Sequence, residues 1–176
     1  MPSFALAAIG RDRPGIVAAV AEVLYEHGCN IEDSSMTMLR GNFSIMLVLT
    51  SPGSATAGDL TEALRGACDE LGLTISVLGV DDRPVTPHPS HILTVYGADR
   101  PGILFRVTRT LADRDVNITD LDSRIVGSAD DPVYAMLLEL ALPATLEPEV
   151  LDEALHAAAT EIGIDLTLRP LDQDVL

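Results

Sequence analysis

The chain writes one loop twice: Gly10-Arg11-Asp12-Arg13-Pro14-Gly15-Ile16 returns as Gly97-Ala98-Asp99-Arg100-Pro101-Gly102-Ile103. At the same offset of 87 residues, Val20 aligns with Val107, Leu24 with Leu111, Asn30-Ile31 with Asn117-Ile118 and Asp33 with Asp120, without a gap. That period is far longer than a solenoid unit, which stacks every 20 to 50 residues or so. A chain of 176 residues is therefore expected to hold two copies of one small domain. Each copy buries a modest core, so each needs the other or a partner.

Within the first copy, the apolar run Ser3 to Ile9 reads as a strand buried on both faces, stopped by Gly10. Asp12 stands where an N-cap would, Pro14 takes an early helical position, and Ile16, Val17, Val20, Val23 and Leu24 recur at helical spacing until Gly28. Asn30 to Leu39, the turn Arg40-Gly41-Asn42 and Phe43 to Leu49 form a hairpin. After the breaker Ser51-Pro52-Gly53-Ser54, Thr56 and Asp59 have the spacing of a capping box, opening a helix through Leu60, Leu64, Ala67 and Leu71 to Gly72. Cys68 falls on that apolar face and is expected in the core. Leu73 to Val80 returns as a strand.

The order strand, helix, strand, strand, helix, strand is the split βαβ of ferredoxin-like α+β folds, an antiparallel sheet with both helices on one face. The second copy repeats it: strand His91 to Tyr96, helix Pro101 to Asp115, strands Val116 to Val126 and Val133 to Leu142, helix Glu147 to Ile162, strand Ile164 to Leu168. Its hairpin loop, Gly127-Ser128-Ala129-Asp130-Asp131-Pro132, is longer than that of the first copy, and Asp130-Asp131 reads as a solvated loop. The expected boundaries are residues 1–82, a stiff proline-rich linker 83–90, residues 91–170 and a tail 171–176. Met46 and Val48 are apolar opposite the helix-facing residues of their strand, as are Ala135, Leu137 and Ala141 opposite Tyr134, Met136 and Leu138. That second face is expected to be covered by the other copy or another chain.

Eleven basic against 27 acidic side chains give a formal charge of −16, a field that repels phosphate backbones and anionic lipid surfaces. Neither direct nucleic-acid binding nor membrane association is expected, and with no leader-like N-terminus the reading is a cytoplasmic protein. Cys29 and Cys68 make neither a CxxC nor a disulfide framework. His88 with His91, and His27 with Cys29, lack a third ligand, so no metal and no cofactor is implied. No nucleophile elbow, P-loop or HExxH occurs, so no catalytic residue is named.

What remains is a strand-to-helix loop whose backbone N–H groups at Gly15 and Ile16, and at Gly102 and Ile103, can hold a carboxylate at the positive end of a helix. Asn30 and Asn117 carry an amide that donates to a carboxylate and accepts from an ammonium, and so could read both ends of an amino acid. The plainer account is that Asp12 and Asp99 cap helices, the prolines set the first turn, and each Asn starts a strand.

The Gly-x-Asp-Arg-Pro-Gly-Ile loop, its helix and the Asn-Ile opening the next strand resemble the ACT domain, a ferredoxin-like small-molecule sensor that usually binds amino acids. Gly28-Cys29-Asn30-Ile31-Glu32-Asp33-Ser34, then Met38-Leu39, is similar to the tandem-ACT family of the glycine cleavage system transcriptional repressor. The resemblance implies two ACT domains in tandem and an effector held between paired domains, by the loop of one and the start of the second strand of the other. It nominates Asp12, Arg13, Gly15, Ile16, Asn30 and Ile31, with Asp99, Arg100, Gly102, Ile103, Asn117 and Ile118. The second copy departs in having Asp115-Val116 for Gly28-Cys29. The function implied is a non-enzymatic amino-acid-binding regulator of transcription or metabolism, a homodimer contacting a protein partner that is a transcription regulator or an enzyme. The alternative is a regulatory subunit or detached regulatory module of an amino-acid-metabolising enzyme.

Overall fold

The computed structural model describes residues 1–80, 87–128 and 132–171. Expectations for the first part of the linker, for Asp130-Asp131 and for the end of the tail lie outside these. The chain divides into two compact units, Met1–Val85 and Thr86–Leu176. The first holds β1 (Ser3–Arg11), α1 (Ile16–Glu26), β2 (Asn30–Leu39), β3 (Asn42–Thr50), α2 (Ala57–Leu71) and β4 (Thr74–Val80). The second repeats them as β5 (His91–Ala98), α3 (Ile103–Ala112), β6 (Asn117–Gly127), β7 (Pro132–Ala141), α4 (Pro148–Ile162) and β8 (Ile164–Pro170). Each sheet is antiparallel, with strand order β2-β3-β1-β4 in one and β6-β7-β5-β8 in the other. This is the expected ferredoxin-like architecture, present twice.

Every helix buries one stripe at i, i+4, i+8: Ile16, Val20 and Leu24 on α1, Leu60, Leu64 and Cys68 on α2. In the second unit the stripes are Ile103, Val107 and Leu111 on α3 and Leu151, Leu155 and Ala159 on α4. These meet alternate strand residues, such as Phe4, Leu6, Phe43, Ile45, Leu47 and Leu49 in the first core. Full burial of one such side chain stabilises by about 1.5–3 kcal/mol. Burial also pushes the Cys68 thiol up, with Asp69 adding to the shift, so the sulfur stays a neutral core atom.

The structure corrects several local readings. β1 is not buried on both faces: Phe4, Leu6 and Ala8 are buried, Ala5 and Ala7 half-buried, and Ile9 is 55% exposed. The other sheet face is left open by the helices, with Met46 exposed on β3 and Leu78 on β4. Asp12 and Asp99 do not cap helices; α1 and α3 start from Gly15 and Gly102, with no side-chain cap. Pro14 and Pro101 lie before these caps in the turn, not within the helices. The hairpin turn is shorter than expected, with Arg40 and Gly41 at φ 49° and 77° and Asn42 already in β3. Two positive φ values in succession suit the right-handed twist of a tight hairpin.

The capping box of α2 forms as expected. The Asp59 N–H donates to Thr56 Oγ1 at 3.2 Å, and the Thr56 N–H donates to Asp59 Oδ2 at 2.8 Å. Gly28 ends α1 with the Cys29 N–H on Leu24 O and its own N–H on Tyr25 O, both 2.9 Å. In the second unit the same bond pattern runs from Val116 to Leu111 and from Asp115 to Ala112, with Asp115 at φ 55° where the first copy has Gly28.

Candidate functional site

The repeated loop is built from its backbone outward. Gly15 and Gly102 hold φ at 96° and 98°, a left-handed conformation that L side chains resist. The next residues, Ile16 and Ile103, are 2% and 3% exposed, so they anchor the helix in the core and offer only their backbone N–H to a ligand. The first turns of α1 and α3 contain neither a side-chain cap nor an acidic residue. By contrast α2 has its capping box and Asp59, and α4 has Pro148 and Glu149. The positive ends of the two loop helices are thus the uncompensated ones.

The Asp12 N–H donates to Gly41 O at 3.0 Å and the Asp99 N–H to Pro132 O at 3.3 Å, tying each loop to its own hairpin. The Asp12, Asp99 and Arg100 side chains are exposed at the loop surface. Arg13 Nη2 donates to Glu70 O at 2.9 Å, at the far end of α2.

Asn30 and Asn117 are exposed first residues of β2 and β6. The register puts Asn30 opposite Thr50, and Thr50 opposite Ser3, whereas the loop leaves β1 at the other end, beyond Arg11. The same holds for Asn117 opposite Ala141, near His91 rather than Ala98. At about 3.3 Å per residue, eight or nine strand residues separate the two halves of each nominated set by roughly 25–30 Å. No single unit brings its own loop and its own Asn together.

One site feature escaped the sequence reading. The β2–β3 register shifts between Ile31 and Asp33, and the β6–β7 register between Ile118 and Asp120. A bulge at Glu32 and at Thr119 therefore re-aims Asn-Ile in both copies. The signal was present as Asn-Ile-x-Asp, repeated with one unmatched residue between fixed neighbours.

In the second unit, Asn117 and Ile118 open onto a groove of about 430 Å³ between α3 and β6, lined also by Phe105, Thr108, Arg109 and Val116. At the same offset the first copy carries Ala18 for Phe105 and Glu22 for Arg109. The charge at this helix position is therefore opposite in the two copies, although Arg109 is partly engaged with Asp113 at 2.9 Å.

An ACT-domain profile matches residues 4–78, and a second ACT-domain profile matches residues 91–155. The chain belongs to the ACT-domain family. Its two ACT domains are related to the glycine cleavage system transcriptional repressor of Escherichia coli, at 31% identity over 162 residues, covering 90% of this chain and 84% of the repressor. A phosphoserine phosphatase of Mycobacterium tuberculosis is 30% identical over 169 residues, and the match takes in 38% of that enzyme's length. Among solved structures, an unknown protein from Galdieria sulphuraria superimposes with a TM-score of 0.84 at 26% identity, covering 97% of this chain and 99% of that one. No helix among the described residues of this ACT protein is long and apolar enough to cross a membrane.

Proposed function

We propose that this tandem ACT protein is a non-enzymatic amino-acid sensor acting through contact with another protein, in the manner its relation to a transcriptional repressor suggests. The observation that carries this reading is the twofold occurrence of a left-handed glycine ahead of an uncapped, acid-free helix start, each in an identical Asp-Arg-Pro-Gly-Ile loop. Such a start favours a carboxylate. Since one unit keeps its loop and its Asn at opposite ends, a complete site takes the loop of one ACT module and the strand start of another. Asn30 and Asn117 then read the ammonium and carboxylate, while Gly15, Ile16, Gly102 and Ile103 supply backbone N–H groups. The formal charge of −16 favours a protein partner, a transcription regulator, over direct contact with DNA.

Isothermal titration with glycine, serine and the other amino acids tests this. Heat with at least one of them, and weaker binding by Asn30→Ala or Asn117→Ala, is the expected result; no heat with any of the twenty sinks it. Ligand binding can shift the protein only by its differential affinity for two states, so the same titration in the presence of partner should give a changed Kd. The match to part of a phosphoserine phosphatase favours a second reading, a regulatory module of an amino-acid-metabolising enzyme. That reading predicts that adding the purified protein changes the enzyme's turnover.

A further inference from the structure

Arg13 makes a contact outside the loop. The last carbonyls of a helix lack intrahelical partners. At the end of α2, Cys68 O accepts from the Leu73 N–H at 2.8 Å and Asp69 O from the Gly72 N–H at 3.3 Å. The next carbonyl, that of Glu70, accepts from Arg13 Nη2 at 2.9 Å, across 57 residues of sequence. The guanidinium so placed also faces the negative end of the helix dipole.

Among the described residues of the second unit, the guanidinium comes near the same turn without the bond to a helix carbonyl that Arg13 makes. Arg100 Nη1 lies 3.7 Å from where a Cβ on Gly163 would stand, and Gly163 is the C-cap of α4. The first glycine of each loop converges on the same turn. A Cβ on Gly10 would come within 2.9 Å of Gly72 O and 2.6 Å of Leu73 Cδ2, and one on Gly97 within 2.7 Å of Ile164 Cγ2. Glycine is needed there because the strand backbone passes against the turn that closes the second helix.

We propose that Arg13 is a positioning residue, latching the Asp-Arg-Pro-Gly loop to the C-terminal turn of the second helix of its own unit. The motif then divides into two jobs: Gly10 and Arg13 fasten the loop to α2, while Gly15 and Ile16 present the open end of α1. This deepens the sensor reading, from which it takes the loop's role in ligand binding. The latch itself makes a prediction for the ligand-free protein.

The experiment compares wild type with Arg13→Met, which removes every donor at similar length, and Arg13→Lys, which keeps a cation able to donate to a carbonyl. Backbone ¹⁵N relaxation is measured without ligand, and glycine titration is run in parallel. In Arg13→Met the order parameters of Gly15 and Ile16 should fall from about 0.85 to below about 0.6, with β1 and β3 unchanged. Arg13→Lys should restore most of the difference, and glycine affinity should weaken about tenfold in Arg13→Met, the order of one lost hydrogen bond to a charged group. Unchanged order parameters in Arg13→Met overturn the latch, including the case where only glycine binding is lost, which marks a direct ligand contact. If Arg13→Met loosens the loop but wild type binds neither glycine nor any other amino acid, the latch stands and the sensor reading falls. Arg100→Met, at a guanidinium that makes no bond to a helix carbonyl among the described residues, should leave the order parameters of Gly102 and Ile103 unchanged.

Discussion

Gly15 and Gly102 have nothing within 4 Å of the position a Cβ would occupy, so a side chain there meets backbone strain rather than a clash. Gly15→Ala is expected to cost roughly 1–3 kcal/mol in urea unfolding, the usual cost of a residue held in a sparsely populated conformation. Asp115 is the reverse case, a non-glycine residue at φ 55° in the turn that ends α3. Asp115→Gly should raise stability by about 0.5–1 kcal/mol, the relief of left-handed strain outweighing the entropy glycine adds to the unfolded chain. The repeat made the loop legible, but not the division of labour within it. Asp12 reads as an N-cap because aspartate favours that position; nothing in the spacing shows that Gly15 takes the cap and that the Asp12 amide binds the hairpin instead. Nor could sequence reveal that Arg13 ends on Glu70, since a contact across 57 residues leaves no local pattern.

Among the elements, α2 carries a pH response whose sign follows from its cap. Hydrogen bonds from the Thr56 side chain and then its backbone hold the Asp59 carboxyl below its ordinary value. A depressed folded value means stability that is fully present above the unfolded carboxylate value, near pH 4, and lost as pH falls through the folded one. Amide exchange in the first turn of α2 should therefore quicken in acid. Thr56→Ala should flatten that response and lower stability by about 1 kcal/mol at pH 7. This helix was fully legible, because a capping box, an i, i+4, i+8 stripe and a terminal glycine are all local signals. The first strand was less so. Ala5, Ala7 and Ala8 make both faces of β1 look alike in sequence, and only pairing with β3 and β4 shows which face meets the helices.

At the scale of the molecule, the described residues form two cores, one under Phe4, Leu24 and Leu64, the other under Leu93, Leu111 and Leu155. Leu64 and Leu155 are both fully buried. Leu64→Ala should cost about 2–5 kcal/mol, with hydrogen exchange rising in residues 3–80 and little changed in residues 91–170; Leu155→Ala should do the opposite. Duplication was legible because it is written as identity at a fixed offset. The separation of Asn30 from Gly15 was legible only in part, since strand order and register are settled by pairing across the sheet. That separation has a thermodynamic corollary. If, as proposed, a metabolite takes the turn of one ACT module and the strand start of another, it acts as mortar, and its dissociation constant is coupled to the affinity of those modules for each other. By linkage, whatever tightens the joint raises sensitivity to the metabolite, and the metabolite tightens the joint by the same factor.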